Sequence, residues 1–395
     1  MFRWHTLSVW TAIVCLGACR TAPASAFDSP VAGKALTAAE SSFADAKDSP
    51  DSQLSAVLTF QAPSVDPASP MSNMAPMASA TDDWRVGNWY FQAEALFLRR
   101  DNQLSNQPVV LQSFVNGDPD LVRLTTGNLS SNLGYGQRYL LGRVLKEDAA
   151  LELVYFGIID WKASSTVSTG TNDLKLPSDL GQNNTTNDFN GADQMTVSNT
   201  CRLNNVEANW VQTLSGTAWN GTSVLAGFRY VSLNETFNIH AVDFTDQGQS
   251  DYRIKTTNNL FGAQLGGRVS RRYSQWGWDA TGKVGLFGNA ARQQQYVYDD
   301  NNTVSIRPDV PAVGSTVSAS RGTVAFVGDI NASLVYQLTN AWALRGGYNV
   351  MWIEGAALAG NQLDFTNLIG SGTEINSRSG GLFLHGASMG LEARW

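Results

Sequence analysis

Side chains that could carry chemistry by themselves are few in this sequence. The chain has 3 histidines, and because His5 lies in an amino-terminal leader, His240 and His385 are the two that remain for a mature protein. Two histidines without neighbouring ligands do not make a specific metal site. Ser388 and His385 stand on opposite faces of an alternating segment, so they do not pair within it. With no G-x-S-x-G elbow, phosphate-binding loop or dinucleotide fingerprint, we expect no enzyme, no metal and no cofactor.

Charged side chains are the second candidate site. Seven acidic and five basic residues follow the polar parity of alternating segments: Glu94, Glu152, Glu207, Arg229, Glu235, Arg268, Asp279, Lys283, Asp329, Arg345, Glu392 and Arg394. If this parity faces a shared interior, unpaired charges there are penalised, so we expect the charges to pair in a ladder. Guanidinium groups suit carboxylates, and Arg229, Arg268 and Arg345 are expected to bridge between them.

The elements that position these charges are strands with one apolar face. In "WYFQAEALFLR", which begins at Trp89, apolar side chains stand at alternate positions. The same pattern is cleanest in "FVGDINASLVYQ", from Phe326, and it returns in the carboxyl-terminal "FLHGASMGLEARW", which ends on Trp395. A two-residue period is the spacing of a strand that has one face out of water.

The connections between strands alternate in length. Short breaks fall near 146–148, 215–221, 272–275 and 338–341, and long polar stretches cover 101–132, 165–202, 241–254, 299–321 and 356–380. Four short turns and five long connections join ten strands, and this even count is typical of a bacterial transmembrane barrel. The sequence therefore predicts an all-β, antiparallel, up-and-down transmembrane β-barrel. The range is eight to twelve strands, because "QPVVLQSFVNG" could add a strand within the first long connection.

Composition favours a membrane barrel over a soluble sandwich or barrel. Charged residues make up 15% of the chain, against about 25% in an ordinary soluble protein. The net charge of -7 is modest and no basic stripe is present, so nucleic acid is not an expected partner. Tryptophan favours the boundary between membrane and water. We expect two girdles, one at the turn ends with Trp89, Trp219, Trp276, Trp278, Trp342 and Trp395, and one at the loop ends with Trp161 and Trp352.

The amino-terminal part predicts export. Residues 1–26 have a positive start, an apolar stretch and an A-x-A site, which indicates a signal peptide cleaved after Ala26. A lipoprotein box that would leave Cys19 lipidated is the alternative. Residues 27–83 are rich in Ala, Ser, Asp and Pro and predict a disordered periplasmic linker, with a helix over 31–47 as the alternative. The barrel is predicted over 84–395.

Four stretches carry a resemblance to a known family: "WYFQAEALFLRR", "ELVYFGIIDW", "LAGFRYVSLNETF" and "GLEARW". Through them, residues 84–395 resemble the putative β-barrel porin family seven, found mainly in Planctomycetes. The resemblance implies a β-barrel in the cell outer membrane. It brings no established functional residues with it.

Three roles stay open on this evidence. Inward glycines at 262, 266, 277, 285 and 347 could leave a path for ions or small solutes, which would make a narrow passive channel. A non-conducting structural or surface-display barrel with a charge-paired lumen is the alternative, and an outer-membrane lipid enzyme is a more distant one. The expected partners are outer-membrane lipid and the barrel-assembly machinery, which would recognise Trp395, Leu391 and Met389. The sequence does not determine the oligomeric state.

Overall fold

The computed structural model describes residues 88–101, 106–113, 119–129, 133–178, 189–245, 247–299, 317–363, 365 and 380–395. The predicted signal peptide (1–26) and linker (27–83) lie outside the described residues, as do residues 84–87 at the start of the predicted barrel. Within the described part, no helix is long and apolar enough to cross a membrane.

The described residues form fourteen strands: β1 (Trp89–Asp101), β2 (Pro108–Gln112), β3 (Leu121–Thr125), β4 (Gly134–Lys146), β5 (Ala149–Ser168), β6 (Leu174–Lys175), β7 (Asn190–Ala192), β8 (Gln194–Thr217), β9 (Asn220–Val242), β10 (Gln249–Tyr273), β11 (Trp276–Asp299), β12 (Val317–Gln337), β13 (Trp342–Glu354) and β14 (Gly381–Arg394). Ten of them close into a barrel in the order β1-β14-β13-β12-β11-β10-β9-β8-β5-β4, and β4 pairs again with β1. All these pairs are antiparallel, which confirms the predicted ten-stranded barrel.

The two chain ends of the barrel meet in one ladder. Strand β14 pairs with β1 in a ladder that runs from Tyr90 opposite Arg394 to Asp101 opposite Phe383. The terminal residue is part of this closure, because the Trp395 backbone N–H donates to the Trp89 carbonyl at 3.0 Å and the reverse bond is 2.9 Å. The side chains of Met389, Leu391 and Trp395 are exposed on the outer face. The apolar parity of the last strand therefore faces outward, as the sequence predicts.

The four short turns are confirmed, but several predicted long connections are shorter than expected. Strand β8 begins at Gln194 and β9 reaches Val242, so much of the polar stretches 165–202 and 241–254 is strand. The outward parity of these strand residues is polar, for example Thr196, Ser198 and Asp251, while the inward parity, for example Met195 and Tyr252, is fully buried. The prediction failed there because a polar outer face hid the alternation.

The outer surface has two zones. The first, called here the apolar belt, runs from the short turns up to a row of paired outward residues that includes Val206, Tyr230, Phe261 and Val324. Its side chains, such as Phe228, Leu265 and Leu334, are exposed. Beyond that row β5 and β8–β12 continue with outward Ser, Thr, Asn, Arg and Lys, and this zone is called the upper wall.

The described parts of three long connections fold over and into the barrel. Strands β2, β3, β6 and β7 form a separate sheet in the order β3-β2-β6-β7, called the capping sheet. Its Val109, Val110 and Leu174 share one apolar core with inward residues of β8–β11. "QPVVLQSFVNG" therefore supplies a strand of this sheet and no barrel strand. A second segment, Gly355–Leu363, is called the plug loop; it contains the short 3-10 helix Ala359–Gln362, and residues 356–363 are all buried.

Two of the predicted girdle tryptophans are placed elsewhere. Trp89, Trp276, Trp278, Trp342 and Trp395 are exposed near the short turns, as predicted. Trp161 is buried, and its ring N–H donates to the Leu98 carbonyl at 3.0 Å. A register shift in β5 between Ile158 and Trp161 turns it inward. Trp219, in the turn between β8 and β9, packs edge-on against Tyr90 at a centroid distance of 4.9 Å.

Candidate functional site: the charged barrel interior

The largest charge cluster surrounds Arg345, in the part of the barrel nearest the short turns. The Arg345 Nη1 lies 2.8 Å from Asp279 Oδ2 and 2.5 Å from Glu392 Oε2, and its Nε lies 3.3 Å from Glu94 Oε1. Each of these carboxylates has a further arginine. Those arginines are Arg138 on Glu94, Arg272 on Asp279 at 2.7 Å, and Arg394 on Glu392. The Arg345 cluster thus holds three acids and four bases, all brought together from β1, β4, β10, β11, β13 and β14.

A second cluster lies beside it and is formally neutral. Glu207 accepts from Lys283 Nζ at 2.7 Å and lies 3.7 Å from Arg229. Asp329 is 2.6 Å from Arg229 Nη1 and 3.4 Å from Lys283 Nζ. Asn205 fixes the guanidinium by accepting from Arg229 Nε at 2.5 Å. Arg229 therefore bridges two carboxylates.

Glu152 and Arg268 form a third unit. The two guanidinium nitrogens of Arg268 lie 2.6 and 2.9 Å from the two Glu152 oxygens, which is bidentate geometry. The Tyr90 hydroxyl donates to Glu152 Oε1 at 2.6 Å. Arg268 also donates to Thr281 at 3.2 Å. In its described contacts Arg268 pairs with one carboxylate, that of Glu152. The predicted bridge between two carboxylates is therefore wrong for this residue.

Glu235 stands apart from the other predicted residues. It pairs with Arg100 within the apolar layer higher in the barrel, and it accepts from the Ala359 N–H of the plug loop at 2.7 Å. Both members of this pair are buried. Glu235 therefore holds the plug loop in place and does not belong to the charge clusters nearer the short turns.

Three cations of the interior are missing from the sequence prediction: Arg100, Arg138 and Arg272. Arg100 follows the same inward parity of β1 as Glu94 and could have been found from it. Arg138 lies in "YGQRYLLGR", where the Gly and Gln residues weaken the alternation. Arg272 was assigned to a turn, but β10 continues through it to Tyr273. With these three, the described interior has one cation for each carboxylate and one more.

Three of the inward glycines free space that neighbouring side chains occupy. A Cβ atom at Gly262 would lie 2.5 Å from the Phe287 ring, and one at Gly285 would lie 2.7 Å from it. The space at these two positions is therefore filled by Phe287, which is fully buried. Gly277 makes room in the same way for the Arg272 side chain. At these three positions the missing side chains leave no path for a solute.

Apolar packing closes the barrel above the charges. Inward side chains of nine strands and of the plug loop form one buried cluster that includes Leu98, Leu203, Leu260, Phe287, Val327, Met351, Leu358 and Leu384. Asn258 fixes the plug loop, since its Nδ2 donates to the Ala357 carbonyl at 2.8 Å and its Oδ1 accepts from the Ala357 N–H at 2.7 Å. The barrel lumen is thereby crossed by apolar side chains.

Two small cavities lie among the described side chains of the interior. One cavity of about 60 Å³ lies among Glu152, Arg268, Asp279 and Arg345, and another of about 40 Å³ lies beside Glu207 and Met351. A water molecule needs about 10–15 Å³ of such volume. These cavities suit a few waters that complete the hydrogen bonds of the charged groups. Trp219 narrows the end near the short turns, with the Arg394 guanidinium 3.9 Å from its ring centroid.

The two histidines lie apart on the outer surface. His385 Nδ1 is 2.6 Å from the Tyr348 hydroxyl, and its Nε2 is 3.7 Å from Asp101. Ser388 is buried on the inner face, so the structure does not pair it with His385. His240, on the upper wall, lies 3.3 Å from Asp251. That hydrogen bond, opposed by partial burial, raises the pKa of His240 above its usual value. Among the described residues no cluster of three or more His, Cys, Asp or Glu side chains could hold a metal ion.

Strand order and site define the class of the molecule: a closed, ten-stranded antiparallel β-barrel with an apolar outer belt and an interior filled by charge pairs and apolar side chains. The chain belongs to the family described as Putative beta barrel porin-7, whose model matches residues 114–395. The resemblance seen in the sequence is confirmed over that range.

Solved structures similar to this chain are outer-membrane proteins of low sequence identity. The outer membrane protease OmpT of Escherichia coli is 10% identical, with a TM-score of 0.39, covering 78% of this chain and 97% of its own. Ail, the attachment invasion locus protein of Yersinia pestis, is 7% identical, with a TM-score of 0.22, covering 78% and 99%. A Pseudomonas aeruginosa FadL homologue is 8% identical, with a TM-score of 0.24, covering 79% and 91%. None of the curated proteins matches this chain.

Proposed function

We propose that this chain is a β-barrel of the cell outer membrane whose lumen is closed, and that it serves as a structural or surface-display protein. The observation that carries the closed lumen is the apolar layer of inward side chains and plug-loop residues above the charge clusters. A narrow passive channel would need this layer to be interrupted. The family name supports a barrel of porin type, and the packing favours its non-conducting form.

Membrane placement is supported by the outer surface. On β10 the apolar belt runs from Phe261 to Val269, close to the 9–11 residues that a tilted strand needs to span a bilayer. The short turns would face the periplasm and the capping sheet the outside, as in bacterial outer-membrane barrels. An exported leader, a periplasmic linker and a planctomycete origin stay predictions from the sequence.

Planar-bilayer recording tests the closed lumen. The full-length protein, inserted and shown to be folded by resistance to urea, should give no discrete conductance steps. A variant in which Ala356–Leu363 is replaced by two glycines removes part of the apolar layer and should give measurable current. A matched control shortens the turn Leu338–Ala341 at the other end of the barrel. Regular steps from the unaltered protein would show that it is a channel instead.

A non-catalytic role is part of the same proposal. In the described residues, the neighbours of the outward His385 are Tyr348, Phe383 and Asp101, and no serine pairs with it. We expect the purified protein to release no fatty acid from phospholipid vesicles. Release that disappears in His385→Ala would establish a lipid enzyme.

A further inference from the structure

One side of the upper wall carries a cluster of outward cations. Lys162 of β5, Arg202 of β8, Lys255 of β10 and Arg292 of β11 are all exposed. Strand pairing places them in two adjacent rows across the wall, Lys162–Thr200–Thr236–Lys255 and Arg202–Asn234–Thr257–Arg292. The four cations and the hydroxyl and amide side chains between them are called the basic wall.

The basic wall contrasts with the charge of the chain as a whole. The full sequence has a net charge of -7, yet the four charged residues of these two rows are all cations. Among the described side chains of the upper wall, the acid is Asp251, which lies higher, where it accepts from Asn238 at 2.5 Å and pairs with His240. On the opposite side, the corresponding level of the barrel has Arg99 beside Asp101, at 3.9 Å. Among these described side chains, the surplus of cations therefore lies on the side of β5 and β8–β11.

The height of the basic wall matches the polar surface of a membrane. Arg202 stands four residues beyond Val206, the last outward apolar residue of β8, and Arg292 stands four residues beyond Gly288, which belongs to the same row as Val206. At about 3.3 Å per residue along a strand tilted by about 40°, this is roughly 10 Å above the apolar belt. Headgroups occupy that zone, and long Lys and Arg side chains reach along the wall toward them.

We infer that the basic wall binds the anionic, phosphate-bearing headgroups of the outer leaflet, so that one side of the barrel holds a fixed shell of anionic lipid. The row spacing supports this. Lys162 lies diagonal to Arg202, and Lys255 diagonal to Arg292, so two cation pairs flank Asn234 and Thr236 on β9. Arginine presents several N–H groups to a phosphate, and the neighbouring hydroxyl and amide groups can donate to its remaining oxygens.

This inference rests on the proposed membrane location, and the experiment separates the two. The full chain is reconstituted in phosphatidylcholine vesicles with a fluorophore on Thr236→Cys, in the middle of the basic wall, or on Phe383→Cys, on β14 across the barrel from β9. A second label on Leu334→Cys, quenched by acyl-chain nitroxide lipid, reports insertion. Two lipids that carry a nitroxide near the top of an acyl chain are then compared, one with a bare phosphate headgroup and one with a zwitterionic headgroup. Failure of the Leu334 label to be quenched would refute the membrane location itself.

With insertion established, the Thr236 label should be quenched several-fold more by the anionic lipid than by the zwitterionic one, and the Phe383 label about equally by both. In Arg202→Gln/Arg292→Gln the two lipids should quench the Thr236 label about equally, because each arginine near the surface contributes a factor of roughly five. The matched control Arg123→Gln/Arg143→Gln removes two exposed arginines elsewhere and should retain the preference for the anionic lipid. High salt should weaken the preference of the Thr236 label for the anionic lipid.

An equal quenching of the Thr236 label by both lipids would overturn the inference while leaving the membrane barrel intact. The same holds if the preference survives in Arg202→Gln/Arg292→Gln. A third experiment adds dextran sulfate to the protein in zwitterionic vesicles and measures whether this polyanion binds the basic wall. Tight binding of this polymer to the basic wall, without any lipid preference, would show that the partner is a soluble polyanion and not the membrane.

Discussion

Removing Arg268 should destabilise the barrel more than removing Arg345, although Arg345 contacts three carboxylates and Arg268 contacts one. The reason lies in the groups left behind. In Arg345→Met, Glu94, Asp279 and Glu392 each keep another arginine. The Arg345 cluster then has three acids and three bases and becomes formally neutral. The loss is that of charge-assisted hydrogen bonds, about 1.5–3 kcal/mol.

In Arg268→Met, Glu152 keeps the Tyr90 hydroxyl bond but loses its bidentate cation. Its side chain is 0% exposed, so its charge is left buried. Removing one partner of a buried ion pair costs about 3–5 kcal/mol. The double variant Arg268→Met/Glu152→Gln removes the charge as well and should recover most of that loss, because an amide can still bond to Tyr90.

The assay is urea unfolding of the protein in phosphatidylcholine vesicles, followed by tryptophan fluorescence, for the two single variants and the double variant. Equal slopes of free energy against urea would show that the same surface is exposed in each case. The reasoning is refuted if Arg345→Met is the more damaging single change. It is refuted equally if Glu152→Gln adds to the loss from Arg268→Met instead of reversing it.

Three further predictions concern assembly, orientation and pH. Trp395→Asp should lower membrane insertion without lowering export, measured by cell fractionation, and normal insertion would contradict its role as an assembly signal. Leu334→Arg, in the apolar belt, should destabilise the barrel by about 2–4 kcal/mol, while Asp329→Asn should weaken the pairing of Arg229; vesicle unfolding compares them, and a harmless Leu334→Arg would reverse the assigned faces. His240 should titrate above its usual pKa, so the stability from its pair with Asp251 is complete below about pH 6.5 and is lost as pH rises through the raised value. In an NMR titration of Asp251→Asn the pKa of His240 should fall below its usual value, because burial and Arg253 then act without the aspartate, and an unchanged pKa would show that another group is responsible.

The two-residue period determined the barrel from sequence alone. Each strand near the short turns has an apolar parity and a polar parity, and only one arrangement keeps both the backbone and the charges satisfied beside lipid. The parity of Asp329 and Lys283, of Leu334, and of the strand ending at Trp395 therefore followed directly. The count of ten followed from the four short turns. Where the outer face is polar, as around Thr196 and Thr200, the sequence lost this signal and strand residues were taken for a loop.

Tertiary structure alone decided what fills the barrel. Parity showed that Arg345 and Arg268 face inward, but which carboxylates they meet depends on strand register, and the partners are far apart in sequence. A path was expected along the inward glycines, yet Phe287 occupies the space that Gly262 and Gly285 free. The plug loop enters the lumen through bonds of Asn258 and Glu235 to its backbone. Such contacts depend on the path of an irregular connection, and no local period encodes that path.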